Sequence, residues 1–222
     1  MMNKIKGIFL FLIVIVAVVL GCKQSDNANT DKETILKGST SILVDETLKP
    51  IIEDQIEVFQ SGYKANIALI AKSENEVIKS FLNDSTRIAV LARPLNENEV
   101  KFFESLKIKP KTTIIGTDAI AFVSNKNNKD TLIALKDVIS FMQGKGQTNI
   151  KGLVFDNLNS STLRYLNEVA GLKSNPSKGI FSFKTNEEVL KYVSENEGMI
   201  GVVGLNWLYR PSSIVSEYLK KL

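Results

Sequence analysis

Short β-prone runs alternate with amphipathic helical runs from about residue 34 to the end of the chain, and this alternation restricts the fold more than any other feature. The extended runs are Thr34–Leu36, Tyr63–Ala71, Ile88–Leu91, Ile108–Ile115, Ala119–Ser124, Leu153–Phe155, Phe181–Phe183 and Gly198–Gly204. Helical spacing of apolar residues begins near Pro50, Ser73, Asn96, Leu132, Ser160 and Thr185, most of these behind a residue suited to capping. Trp207–Arg210 reads as a turn or short helical piece, and Ser216–Leu222 as a short terminal helix. Strands that alternate with helices predict an α/β fold, with parallel or mixed sheets covered by helices. Sheets of that kind take ligands outside the carboxyl ends of their strands.

Three strand–helix junctions are rich in hydroxyls: Gly38–Ser41, Ala71–Ser73 and Asn159–Thr162. The last belongs to the stretch Val154–Leu166, a strand end followed by a polar loop and a first helical turn. Free N–H groups at a helix start carry partial positive charge. Ser160, Ser161 and Thr162 add hydroxyl donors there, and Arg164 adds a full charge, a combination that favours an anion. The same residues also compose an ordinary helix cap, with Glu168 helping to satisfy the helix end. The residues alone leave both readings open.

The chain opens with the basic segment Met1–Lys6, and Gly7–Leu20 is almost wholly apolar. This is the pattern of a secretory signal over 1–21, and it is shorter than the roughly 20 apolar residues a spanning helix needs. Val19-Leu20-Gly21-Cys22 resembles the bacterial lipobox, which implies lipidation of Cys22, the one cysteine of the chain. An uncleaved anchor is the alternative. Residues 22–33 are polar and read as a lipidated flexible tether.

There is no histidine, so Ser-His-Asp and Cys-His catalysis and the usual zinc and copper sites are excluded. Carboxylate-based and Ser-Lys catalysis stay open on composition alone. No nucleophile stands with a plausible base, however, and neither an enzyme nor a metal or cofactor site is expected. The net charge of +4 is dispersed without a long run of one sign, which argues against nucleic acid as a partner.

The order of several segments carries a resemblance. They are Lys37-Gly38-Ser39-Thr40-Ser41, Ala71-Lys72-Ser73, Ile88–Leu95 with Glu99, Gly116–Asn125, Leu132–Gly144, Ser160-Ser161-Thr162 and Gly198–Gly204. Over nearly all of the mature chain this series resembles the phosphate-binding periplasmic component of ABC transporters, a family of solute-binding proteins with the type II fold. The resemblance implies a two-lobed periplasmic-binding-protein type II fold, each lobe a mixed sheet flanked by helices. Lobe 1 would take 34–115 plus 205–222, lobe 2 would take 116–204, and the two crossings would form a hinge beside an interlobe cleft.

It further implies a lipid-anchored monomer in the bacterial cell envelope, facing the periplasm or the exterior. Such a protein would capture phosphate or a related tetrahedral oxyanion and deliver it to an ABC transporter permease. The ligand-binding set it implies is Ser39, Thr40, Ser41, Ser73, Arg93, Asp118, Ser160, Ser161, Thr162 and Arg164. Asp118 would accept the proton of a protonated oxyanion and so disfavour sulfate. The chain departs from the family in several places: Ser160-Ser161-Thr162 stands where Ser-Gly-Thr is usual, the loop at Ala71-Lys72-Ser73 is poor in glycine, and two further departures bear on the anion. The arginine usual just before Ser-Gly-Thr is missing from Phe155-Asp156-Asn157, and Ala92 stands where a serine precedes the arginine. Arg93 and Arg164 are left to supply the charge. Each also reads as an ordinary surface or structural arginine, with Arg93 pairing Glu99. These departures define an alternative, a fold-retaining surface or scaffold protein that has lost oxyanion binding and takes a protein partner.

Overall fold

The structure is a computed structural model that describes residues 34, 37–83, 86–129, 132–145, 149–209 and 211–222. The signal segment, Cys22 and the tether lie outside the described residues. Two separate sheets organise the described residues.

In the first sheet β1 (Lys37–Asp45) lies between β2 (Lys64–Lys72) and β3 (Ile88–Val90), all parallel, in the order β2-β1-β3. Lys37–Ser41, expected as a loop, is the first half of β1. Its backbone groups find partners along β2 from Lys37 opposite Lys64 to Ser41 opposite Ala68, which a hydroxyl-rich segment tolerates as well as a loop does. The true loop is the single 3-10 turn Glu46–Leu48, followed by α1 (Lys49–Gly62) with Pro50 in its first turn. The other helices here are α2 (Glu74–Asn83) and α3 (Glu97–Ser105), the latter opened by a capping box of Asn96 and Glu99. Val44, Ile52 and Ile56 form the core of this half, with Ile42, Ile67, Leu69 and Val90 against them. The segment Ile108–Ile115, expected to be extended, joins no strand among the described residues, and Ile114 is 88% exposed. β propensity alone makes no strand where no sheet edge takes up the backbone.

The second sheet runs β4 (Ile120–Ser124), β7 (Met199–Gly204), β5 (Gly152–Phe155), β6 (Ile180–Ser182), with β4 antiparallel to β7 and the other pairs parallel. β5 and β7 are buried throughout, because helices cover both faces of the sheet. Leu153, Phe155, Ile200 and Val202 point to one face and meet α4 (Leu135–Met142) and α5 (Ser161–Val169) through Val138, Met142, Leu163 and Leu166. Val154, Met199 and Val203 point to the other and meet α6 (Asn186–Glu195) through Val189, Leu190 and Val193. The short α7 (Asn206–Tyr209) and α8 (Ser213–Leu219) complete the chain. The resemblance places 205–222 in the first lobe, yet Val215 of α8 packs into this second core beside α6.

Each sheet has a point where consecutive connections leave to opposite sides. In the first it is β1, flanked by β2 and β3. In the second it is β5, flanked by β6 and β7. The carboxyl ends of those two strands are where this architecture opens a crevice for ligand.

Candidate functional site

The apolar residues Leu43 and Val44 draw the second half of β1 into the core, and the next three residues follow them inward. Asp45, Glu46 and Thr47 are 0%, 5% and 3% exposed. Asp45 caps the 3-10 turn, its Oδ1 accepting from the Thr47 N–H at 3.1 Å. At the end of β5, Asp156 follows Phe155 into the interior with no exposed surface. Its Oδ1 accepts from the Thr162 hydroxyl at 3.3 Å. The Ser160 hydroxyl caps α5 by accepting from the Leu163 N–H at 3.4 Å and shares a 3.0 Å hydrogen bond with the Thr162 hydroxyl.

Thr47 ties the two strand ends together. Its Oγ1 accepts from the Ser161 hydroxyl at 3.3 Å, and its carbonyl accepts from Asn206 Nδ2 at 2.9 Å and Trp207 Nε1 at 3.1 Å. Asn206 Nδ2 also donates to Asp118 Oδ2 at 2.9 Å. Gly204 permits this convergence, since a Cβ there would lie 2.8 Å from both Thr47 Cγ2 and Asn206 Nδ2. Beside it, the Glu46 carboxylate accepts from the backbone N–H of Asn186, at 3.2 and 3.3 Å, and from its side-chain Nδ2, at the start of α6.

This interior is rich in acceptors. Burial pushes the carboxyl pKa values of Asp45 and Asp156 up to about 6 and that of Glu46 up to about 8. Mutual repulsion adds to the rise, from Asp45 on Asp156 and from Asp156 on Glu46. Among the described residues no lysine or arginine forms an ion pair with any of the three. Asp45 Oδ2, Asp156 Oδ2, Asn186 Oδ1 and Asn206 Oδ1 are buried without a hydrogen-bond partner.

The two candidate arginines are engaged elsewhere. Arg93 forms a bidentate pair with Glu99, at 2.8 Å to each oxygen, and donates to Glu74 Oε1 at 3.2 Å. Arg164 donates to Glu74 at 2.6 and 3.1 Å and to Glu168 at 2.8 Å. The Glu168 side chain thus pairs with Arg164, and only its backbone carbonyl serves the end of α5, accepting from the Ala170 and Gly171 N–H groups. The Glu74 side chain is 1% exposed and joins α2 of the first sheet to α5 of the second. Beside it, Asn75 and Asn159 bond through backbone at 3.5 Å and through side chains at 3.3 Å.

The expected site residues therefore separate into groups. Ser160, Ser161 and Thr162 stand at the junction of the two strand ends. Ser39, Thr40 and Ser41 lie in the first half of β1, Ser39 about 20 Å from Asp45 at about 3.3 Å per residue. The Ser73 hydroxyl and backbone N–H both donate to the Glu76 carboxylate, at 2.7 and 3.3 Å, at the start of α2. Asp118 is exposed on the crossing before β4. Arg93 and Arg164 are bound to carboxylates, the structural role open to Arg93 from the sequence. Sequence reasoning missed Asp45, Glu46, Thr47, Asn186 and Asn206. A signal existed for the first three: a strong β run ending in Asp-Glu-Thr just before Pro50 marks the strand's true end. Asn186 and Asn206 carry no comparable signal, because only the packing of α6 and α7 brings them in.

A family model, the PBP superfamily domain, matches residues 6–220. Among solved structures, the chain is similar to a Clostridium perfringens protein named as a phosphate ABC transporter substrate-binding protein and solved with bound phosphate. Their identity is 20%, the TM-score 0.64, and the match covers 80% of this chain and 73% of that one. An ABC-type phosphate transport receptor from Vibrio cholerae matches at 16% identity and a TM-score of 0.53, over 75% and 71% of the two chains. The OxyR2 E204G regulatory domain from Vibrio vulnificus matches at 10% identity and 0.59, over 84% and 80%. These likenesses are of fold, and the two sheets flanked by helices agree with the type II arrangement. No curated protein matches the chain in sequence.

Proposed function

The chain belongs to the PBP superfamily, and from that premise we propose that it is a solute-binding protein that closes on a small ligand and presents it to the permease of an ABC transporter. It would be held at the outer face of a bacterial membrane by lipid on Cys22 and would bind without chemistry. One observation carries the reading: the switch-point ends of β1 and β5, from different sheets, meet in a buried polar cluster at Thr47 and Ser161. The lobes would be built on the two sheets, and the two chain crossings would serve as the hinge. The Leu205 N–H donates to the Ala119 carbonyl at 2.7 Å and links those crossings.

Phosphate is the ligand the sequence resemblance implies. It has the support of the phosphate bound to the Clostridium perfringens neighbour and of the hydroxyls at the start of α5. The arginine pairing favours a second reading, in which the fold persists, oxyanion binding is lost and the protein takes a protein partner. A thermal-shift panel on the full-length protein separates the two. It would include phosphate, sulfate, arsenate, molybdate, neutral solutes and organic cations. Capture requires at least one compound to raise the midpoint saturably, by about 2.7 kcal/mol of added stability at a hundred times its Kd. A panel without any such compound sinks the capture reading and leaves the partner-binding one.

A further inference from the structure

We propose that the site between the carboxyl ends of β1 and β5 takes a small organic cation bearing a primary ammonium group, in preference to phosphate or any other oxyanion. The inference rests on the capture reading above and names the ligand class for that same site.

The first ground is the direction of the unmet hydrogen bonds. Among the described residues, Asp45 Oδ2, Asp156 Oδ2, Asn186 Oδ1 and Asn206 Oδ1 at this site are buried without a partner, as Asn167 Oδ1 is on α5, and in each of the four another polar atom of the same side chain is already held. Asp45 Oδ1 is fixed by the Thr47 N–H, and Asp156 Oδ1 by the Thr162 hydroxyl. Asn186 Nδ2 is fixed on Glu46, and Asn206 Nδ2 on the Thr47 carbonyl. The side chains are thereby oriented, and what each has left to offer is an acceptor. Asp45, Asp156 and Asn186 have no exposed surface, so water cannot readily serve these oxygens. Two hydroxyls that an oxyanion would use are engaged within the protein: Ser161 on Thr47, and Thr162 on Asp156.

The second ground is charge. Asp45, Glu46 and Asp156 stand together, whereas Arg93 and Arg164 are shared among Glu74, Glu99 and Glu168. An entering oxyanion would add negative charge to a buried acidic cluster with no cation to offset it. An ammonium brings three N–H donors and one positive charge in a compact head, which answers both deficits at once. Among the described residues no group of three His, Cys, Asp or Glu side chains is placed to hold a metal ion, so the donor set suits N–H groups better than a metal.

The test is isothermal titration of the full-length protein near pH 7.5 in three arms. The first uses putrescine, L-lysine and ethanolamine; the second, inorganic phosphate; the third, calcium chloride. The expected result is saturable binding of at least one amine and none of phosphate or calcium. Asp156→Asn should weaken the amine at least tenfold, with Glu46→Gln as a second variant should the first fail to fold. Asp54→Asn, the same charge change at an exposed position on α1, should leave the affinity unchanged. Binding of phosphate or calcium with every amine silent overturns the cation assignment and leaves capture standing. Silence in all three arms on folded protein overturns both. Equal losses in Asp156→Asn and Asp54→Asn would mean that bulk charge, not this site, attracts the amine.

Discussion

Neutralising Glu74 tests whether the carboxylate that joins α2 to α5 holds the two halves of the molecule together. In Glu74→Gln the buried side chain keeps its shape and one acceptor but loses its charge. Three charge-assisted hydrogen bonds converge on this carboxylate, at 2.6, 3.1 and 3.2 Å, and bonds of that kind contribute about 1.5–3 kcal/mol each. The full sum is not expected, because Gln retains one of the bonds. Arg93 also keeps Glu99 and Arg164 keeps Glu168, and the arginine side chains are 21% and 27% exposed, so water screens part of the interaction.

The expected loss is therefore about 2–3 kcal/mol, below the 3–5 kcal/mol or so typical of a fully buried broken pair. For a chain of this length that lowers the thermal midpoint by roughly 5–10 °C. Urea unfolding of both proteins, with the slopes compared, gives the free-energy difference. A double-mutant cycle with Arg164→Gln should return a coupling of at least about 1 kcal/mol, since the shared bonds are what the cycle isolates. An unchanged urea midpoint, or a coupling near zero, would mean that the bridge between α2 and α5 does not form in solution.

Stability should fall as pH rises from about 5 to about 8.5. Asp45, Asp156 and Glu46 hold their protons more tightly folded than unfolded, so their contribution is full below the ordinary carboxylate pKa near 4 and is lost as pH climbs through about 6 and then about 8. Glu99, which Arg93 holds below the usual range, loses its contribution only at lower pH. A urea midpoint higher at pH 8.5 than at pH 5 would contradict the buried cluster. At pH 7.5, where Asp156 is ionised, Asp156→Asn should stabilise ligand-free protein by about 1 kcal/mol or more in urea unfolding, because it removes a buried unpaired charge; a lower stability in the same measurement would argue against the cluster. Gly204→Ala should cost about 1–3 kcal/mol in urea unfolding, since its Cβ would press on Thr47 and Asn206 at 2.8 Å; unchanged stability would show that β7 and the Thr47 turn are not in close contact.

The local grammar of the chain was open to reading. Ser73, Asn96, Ser160 and Thr185 stand where helices begin, and β4 to β7 follow their apolar runs within a few residues. These features depend on neighbours along the chain, whose chemistry the sequence displays directly. The division into two sheets agrees with the resemblance for the same reason, since it follows from the order of the elements. The first junction was misplaced. The hydroxyls of Gly38–Ser41 look like a loop, and only pairing with β2 shows that they belong to a strand.

The sequence by itself determined an α/β chain with caps, turns and apolar faces in their proper places, because short-range propensity and periodicity act through adjacent residues. Tertiary structure alone decided what the junctions face. It set Asp45, Glu46 and Asp156 together and turned Arg93 and Arg164 toward Glu74. It also brought Asn186 and Asn206 to the Thr47 turn across more than a hundred residues of chain. A buried site's charge depends on which side chains share a desolvated space, and that sharing is set by the packing of distant elements.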